Sequence, residues 1–157
     1  MVLVREAQKK DIPTIMIMEH KLFSVWDRMD PVDKINHRWF GTPKHIKEIE
    51  KAIHAKNKKL YVASINNKVI GYLRCNIPER TQFQDLIGHI QLTYVDPQQR
   101  NKGIAKELTK RASAWFKQKK LKWMTVGTHA KDRGANDFWK KQKFVIYNHT
   151  YKKKINQ

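Results

Sequence analysis

Arg100, Lys102 and Gly103 stand in the run Arg100-Asn101-Lys102-Gly103-Ile104-Ala105-Lys106, and their types and spacing suit the holding of an anion. Gly103 lets backbone approach a ligand closely, and the first amides of a helix opening at Ile104 have no internal partners and lie at the positive end of its dipole. The run is not a Walker loop, which needs Gly-x-x-x-x-Gly-Lys-Ser/Thr, because Lys102 precedes Gly103. It is not a dinucleotide fingerprint either, which needs three glycines where this turn has one. Just upstream, His89 opens the run His89–Val95. An imidazole with its ordinary pKa near 6.5 can accept a proton at neutral pH. Strand alternation would put His89 on the side of Gln91 and Thr93. The alternative for His89 is a partly buried, hydrogen-bonded structural histidine. His129 is a second base candidate. His20, His37, His45, His54 and His149 show no ligand spacing such as His-Glu-x-x-His, so no metal is expected.

These residues must be carried by a strand, a turn and a helix. Ile90, Thr93, Tyr94 and Val95 read as a strand ended by Asp96-Pro97. Ile104, Leu108, Ala112 and Trp115 recur at helical spacing beyond the turn. Upstream, Val2–Ala7 reads as a first strand. Asp11 and Pro13 open a helix with Ile12, Ile15, Met16, Glu19, Leu22 and Phe23 on one side. Trp26 to Thr42 is too irregular for one long element. Thr42 and Pro43 start a second helix with Ile46, Ile49, Ala52 and Ile53 inward. Leu60–Ile65 and Lys68–Cys75 form a hairpin about Asn66-Asn67, residues that tolerate the positive φ of a two-residue turn. Glu79–Ile87 is a polar connection. Further on, a strand is expected over Leu121–Thr128, a helix over Asp132–Gln142 and two closing strands over Phe144–Tyr147 and Thr150–Ile155. The alternation predicts an α/β protein with a mixed, mostly antiparallel, twisted central sheet flanked by about four helices.

The chain has 157 residues, 40% of them hydrophobic, which suits one domain over 1–157 with a single core. Its one cysteine, Cys75, allows no internal disulfide, which fits a reducing compartment. Apolar runs such as Ile15–Met18 are too short to span a bilayer, and the opening residues do not read as a signal peptide, so a cytoplasmic location is expected. The formal charge is +19 and uneven. Residues 1–99 hold 16 basic and 11 acidic side chains, whereas residues 100–157 hold 17 and 3. Lys102, Lys106 and Lys110 make a cationic row along the central helix. Beyond it lie Lys117, Lys119, Lys120, Lys140, Lys141 and Lys152-Lys153-Lys154. So basic a C-terminal third is either a solvated surface or a face for RNA or another polyanion.

The motif Arg-x-x-Gly-x-Ala after a strand resembles the anion-binding turn of the GNAT superfamily of N-acetyltransferases. The opening strand followed by Asp11-Ile12-Pro13 resembles that superfamily's N-terminus. Val126, Thr128, Asp132, Ala135, Phe138, Trp139, Lys141, Lys143 and Phe144 match, at the same spacing, its Val-x-Thr-x-x-x-Asn-x-x-Ala-x-x-Phe-Tyr-x-Lys-x-Gly-Phe signature. The match runs in order along nearly the whole chain. Three positions depart from it: Trp139 stands for the tyrosine that often protonates the leaving thiolate, Asp132 for a coenzyme-contacting asparagine, and Lys143 for a glycine.

The resemblance implies acetyl-coenzyme A as co-substrate and direct acetyl transfer to an amine. It implies pyrophosphate contacts from Arg100, Asn101, Lys102, Gly103, Ile104, Ala105 and Lys106, backbone pairing of the pantetheine arm with Tyr94 and Val95, and further coenzyme contacts from Asp132, Phe138 and Trp139. The attacked carbonyl oxygen would be held by backbone amides around Val95. Relatives such as the arylalkylamine acetyltransferases use a histidine near the position of His89. Indole delivers no proton at neutral pH, so Tyr147 or Tyr94 would have to replace the missing acid. An α-amine of pKa about 8 is about one-tenth neutral at pH 7, against one part in a few thousand for a lysine-type amine near 10.4, so a weak base suffices for the former. Acceptors consistent with the resemblance are a small-molecule amine or the α-amine of a protein or aminoacyl-tRNA, with Trp26, Trp39 and Phe40 lining the pocket. The alternative outside enzymes is a non-catalytic basic module that keeps the fold and binds RNA.

Overall fold

A computed structural model describes residues 1–155 and divides the chain into two compact units, Met1–Gly127 and Thr128–Gln157. The first holds a five-stranded sheet in the order β1-β2-β3-β4-β5: β1 Leu3–Glu6, β2 Lys58–Ile65, β3 Lys68–Asn76, β4 Gly88–Val95 and β5 Met124–Val126. The first four strands pair antiparallel and β5 joins β4 in parallel. The mixed, mostly antiparallel sheet is therefore as expected. The tight β2–β3 hairpin turns on Asn66 and Asn67, both at positive φ (48° and 64°). A short amide side chain bonds its own backbone there and tolerates the left-handed region.

Three helices cover this sheet. α1 (Ile12–Met29) and α2 (Pro43–His54) bury Ile12, Ile15, Met18, Ile49 and Ala52 against Leu60, Val62, Tyr72 and Tyr94. α2 starts where Thr42 and Pro43 predict, with Thr42 Oγ1 accepting from the His45 N–H at 3.3 Å. α1 runs further than the sequence reading allowed: its last turns take in Trp26, and Phe23 packs edge-on to Trp26 at 4.8 Å, so aromatic contacts rather than a clean apolar stripe carry the helix on. α3 (Ile104–Gln118) buries Ile104, Leu108, Ala112, Trp115 and Phe116, the predicted stripe plus one neighbour. Each large side chain so buried contributes about 1.5–3 kcal/mol. Gly88, at the head of β4, has no room for a side chain, since a Cβ there would lie 2.5 Å from the Phe116 ring.

The strand expected over Leu121–Thr128 forms only at Met124–Val126, because β4 offers it just Gly88–Ile90 as partners. The second unit contains α4 (Arg133–Lys141), capped by Asp132, whose Oδ1 accepts from Ala135 N–H at 3.0 Å. Trp139 is buried there between Phe138 and Phe144, with ring centroids 4.8 and 5.1 Å away. The two closing strands expected over Phe144–Tyr147 and Thr150–Ile155 do not form. Lys143 turns the chain through a left-handed φ of 68°, and no ladder joins the described residues beyond it. Val145, Ile146, Tyr147, Tyr151 and Ile155 are all exposed. A strand needs a partner and a hairpin alone is marginal in water, so β-branched and aromatic composition was insufficient here.

Candidate active site

The predicted anion turn forms at the end of β4. Asp96 is followed by a 3-10 turn at Pro97–Gln99, then Asn101 (φ 62°) and Gly103 (φ 77°) take left-handed conformations before α3 begins. A non-glycine residue at φ near +77° is strained, which explains Gly103. The cap matters as much. α2 and α4 close their first turns with Thr42 and Asp132 side chains, whereas Gly103 has no side chain to do so. The first helical bond, Glu107 N–H to Gly103 O at 3.0 Å, leaves the amides of Ile104, Ala105 and Lys106 without intrahelical acceptors. They lie under open space, since a Cβ built on Gly103 would meet nothing within 4 Å. Arg100 is exposed but anchored, its Nε–H donating to Val95 O at 3.1 Å, and Lys102 Nζ reaches Gln99 Oε1 at 2.9 Å. Lys106 is exposed in the first turn of α3. These residues therefore form a backbone cradle rimmed by cations, a fit for a pyrophosphate.

Beside the turn, β4 has an open edge. β5 pairs with Gly88–Ile90 only, so the stretch toward Tyr94 and Val95 is hydrogen-bonded on the β3 side alone. That edge can accept an extended amide-bearing chain in the manner of an added strand.

His89 is half-buried on β4, with Nδ1 2.9 Å from Thr125 Oγ1. Burial lowers its pKa below the ordinary histidine value, so it stays neutral to lower pH. The register corrects its expected orientation. Arg74 lies opposite Leu92 and Cys75 opposite Ile90, so Gln91 is a bulge residue without a partner across the ladder. An inserted residue breaks simple alternation, so His89 lies opposite Asn76, while Thr93 pairs with Leu73 on the other face. His89 thus shares the face of Tyr72 and Arg74, which α1 and α2 cover. Around the bulge, Tyr72 OH, Arg74 Nε, Asn76 Oδ1, Gln91 Oε1 and Thr93 Oγ1 are buried without protein partners. Such groups cost about 1–3 kcal/mol each if nothing meets them.

The sequence reading missed a second polar group on that face. Glu19 and His45, from α1 and α2, are buried and share a 2.7 Å hydrogen bond between Oε2 and Nε2. Gly41 N–H donates to His45 Nδ1 at 3.1 Å, so the ring proton sits on Nε2 and is donated to Glu19. Arg74 Nη1 lies 3.5 Å from the other Glu19 oxygen. Trp39 and Phe40 pack on the His45 ring at 4.3 and 5.4 Å, and Phe40 stacks on His20 at 4.6 Å. The polar residue on the inner stripe of α1, Glu19, was the available signal. Its partners lie too far along the chain for any local pattern to reveal.

Of the other predicted site residues, Tyr94 and Val95 are buried on β4, and burial first, then Asp96, raises the Tyr94 pKa. Asp132, Phe138, Trp139 and Tyr147 belong to the second unit. There Asp132 caps α4, Phe138 and Trp139 pack together, and Tyr147 is exposed. Thr128 and Asn136 share a 2.7 Å hydrogen bond beside them, with Asn136 Nδ2 also donating to the carbonyls of His129 and Asp132. His129 Nδ1 accepts from Lys131 N–H at 3.1 Å. No group of three or more His, Cys, Asp and Glu side chains that could hold a metal ion occurs among the described residues. No helix among them is long and apolar enough to cross a membrane.

The fold is thus a mixed sheet whose fourth strand is open along part of one edge and runs into an uncapped, glycine-led helix. The acetyltransferase (GNAT) family model matches residues 25–144, and the chain belongs to that family of acyltransferases. No curated protein sequence matches it. Among solved structures, the aminoglycoside N-acetyltransferase AAC(6')-Iy, in complex with CoA, superposes with a TM-score of 0.78 at 14% identity, covering 100% of this chain and 96% of that one. The aminoglycoside 6'-N-acetyltransferase AAC(6')-Ih from Acinetobacter baumannii gives 0.77 at 14% identity, covering 100% and 99%. A transcriptional regulator from Bacillus halodurans C-125 gives 0.76 at 18% identity, covering 99% and 100%. At such identities the likeness is one of fold.

Proposed function

We propose that the protein transfers the acetyl group of acetyl-coenzyme A directly to an amine, with its coenzyme held by the β4–α3 turn. The observation that carries this reading is the juxtaposition, on one strand, of an open backbone edge, an uncapped helix start with Arg100 anchored beside it, and a half-buried neutral histidine. Acetyl-coenzyme A supplies an activated thioester carbonyl. The amides of Gly103–Lys106, with Arg100 and Lys102, neutralise the pyrophosphate, and the open edge at Tyr94 and Val95 aligns the pantetheine arm. Backbone N–H groups of the open β4 edge between Ile90 and Tyr94, on the His89 side of the pantetheine arm, meet the negative charge that develops on the carbonyl oxygen.

Thr125 Oγ1 also lies 3.5 Å from the carbonyl of Gly88, to which its hydroxyl can donate, so it accepts from His89 Nδ1–H and the lone pair is left on Nε2. His89 Nε2 then takes the proton that the amine must lose. Tyr94, on β4 itself, is the proposed proton donor to the departing thiolate. The acceptor enters over the face lined by Arg74, Asn76 and the Trp39–Phe40 aromatic cluster. An α-amine suits this base, because a tenth of it is already neutral near pH 7 for a pKa of about 8. Incubation with acetyl-coenzyme A and a panel of α- and side-chain amines, followed by thiol release, tests the reading. Acetylated product with an acid limb below the ordinary histidine pKa of about 6.5 is expected; no product with any amine contradicts it.

A further inference from the structure

Away from the β4–α3 turn, a cleft of about 930 Å³ opens between the end of α2, strands β1 and β2 and the second half of α3. Its rim carries Arg5, Lys56, Lys59, Arg111 and Lys119, with Glu6 the one carboxylate among its lining residues. These cations are not equivalent to scattered surface lysines. Arg5 is fixed by two hydrogen bonds to the buried Asp11, at 2.7 and 2.9 Å, and Arg111 by one to Val4 O at 3.3 Å. Each guanidinium is thereby held in place with N–H groups to spare, which lowers the entropic cost of gripping a phosphate. Glu6 is matched by Lys59 at 2.9 Å, so Arg111, Lys56 and Lys119 supply uncompensated charge. Between these charges the lining includes Ile53, Ala55 and Ala114, the rings of Tyr61 and Trp115, and the polar side chains of His54 and Gln118.

The arrangement is not a second view of the coenzyme turn. Arg111 is at the middle of α3 and Lys119 caps its C-terminal end, fifteen residues beyond Ile104, about 22 Å along a helix rising 1.5 Å per residue. Anchored cations beside the Tyr61 and Trp115 rings and hydrogen-bonding side chains at His54 and Gln118, in a volume within the usual range of small-ligand sites, match a molecule with phosphates at one end and a base with polar edges at the other. We infer that this cleft binds a nucleotide, either free or as a unit of a single strand, independently of acetyl transfer.

The test titrates the full-length protein with uridine diphosphate and, separately, with a fluorescein-labelled uridine octamer followed by anisotropy. Wild type is compared with Arg111→Ala/Lys119→Ala and with Lys140→Ala/Lys141→Ala, which removes the same charge from the second unit. At low salt, near 50 mM, saturable binding weakened about tenfold by the cleft pair and less than twofold by the control pair is expected. Uridine diphosphate behaving so identifies a free-nucleotide site, and the octamer alone a strand site. Lys56→Ala/Lys119→Ala, which removes no hydrogen bond to the protein, replaces the first pair if that pair melts early. Equal weakening by cleft and control pairs, or no saturable binding of either probe, overturns the inference.

Discussion

The β4–α3 turn and the Glu19–His45–Arg74 group serve one sheet by opposite means. The turn spends backbone: left-handed Asn101 and Gly103, uncapped amides, and side chains that reach no further than Val95 and Gln99. The buried group spends side chains drawn from α1, α2 and β3, with 26 and 55 residues between hydrogen-bonded partners. The first is solvent-facing and can lose one side chain while the fold persists. The second holds two helices on the face of the sheet that carries His89, and loss of one member leaves a buried polar partner unmatched.

The sharpest way to break this contrast is His45→Ala. It leaves the Glu19 carboxylate buried with only a long contact to Arg74, and a loss of about 3–5 kcal/mol in chemical denaturation is expected. A loss below about 1 kcal/mol, in the range of an exposed pair, would mean the group is ornamental. His89→Ala should instead leave stability nearly unchanged and lower kcat about a hundredfold, the lower end of general-base contributions, because an α-amine needs little help. The sign of the pH dependence is fixed by burial. His89 acts when neutral, its folded pKa is lowered, and activity should persist below pH 6.5 before falling as His89 protonates. A wild-type acid limb at or above the ordinary histidine value would remove His89 from the role.

Arg100→Ala should raise the dissociation constant for acetyl-coenzyme A about tenfold, the worth of one charged hydrogen bond, without shifting the melting temperature. The smallest effect belongs to Gly103→Ala, about 1 kcal/mol from forcing a side chain into a φ of 77°. A side chain there has free space, so the expected loss is strain alone.

The same contrast explains what was legible in the sequence. The turn could be read because its cause is local: a strand ended by Asp96-Pro97, a glycine, and an apolar stripe starting at Ile104 all sit within a few residues of one another. The β2–β3 hairpin was legible on the same ground, through Asn66-Asn67. Glu19 and His45 were invisible as a pair, since only folding brings them together. The bulge at Gln91 was invisible too, because a one-residue mismatch is a property of two strands, and it moved His89 off the face that alternation assigned to it. Residues 144–155 failed for the complementary reason: strand-like composition there meets no ladder.

The measurement that tests the central claim most directly is calorimetric titration of wild type and of Arg100→Ala/Lys102→Ala with acetyl-coenzyme A. Saturable binding by wild type, weakened about tenfold or more in the double variant with unchanged melting, is the expected result. Equal affinity in both proteins, or no binding by wild type at low salt, would contradict the assignment of the turn to the coenzyme pyrophosphate.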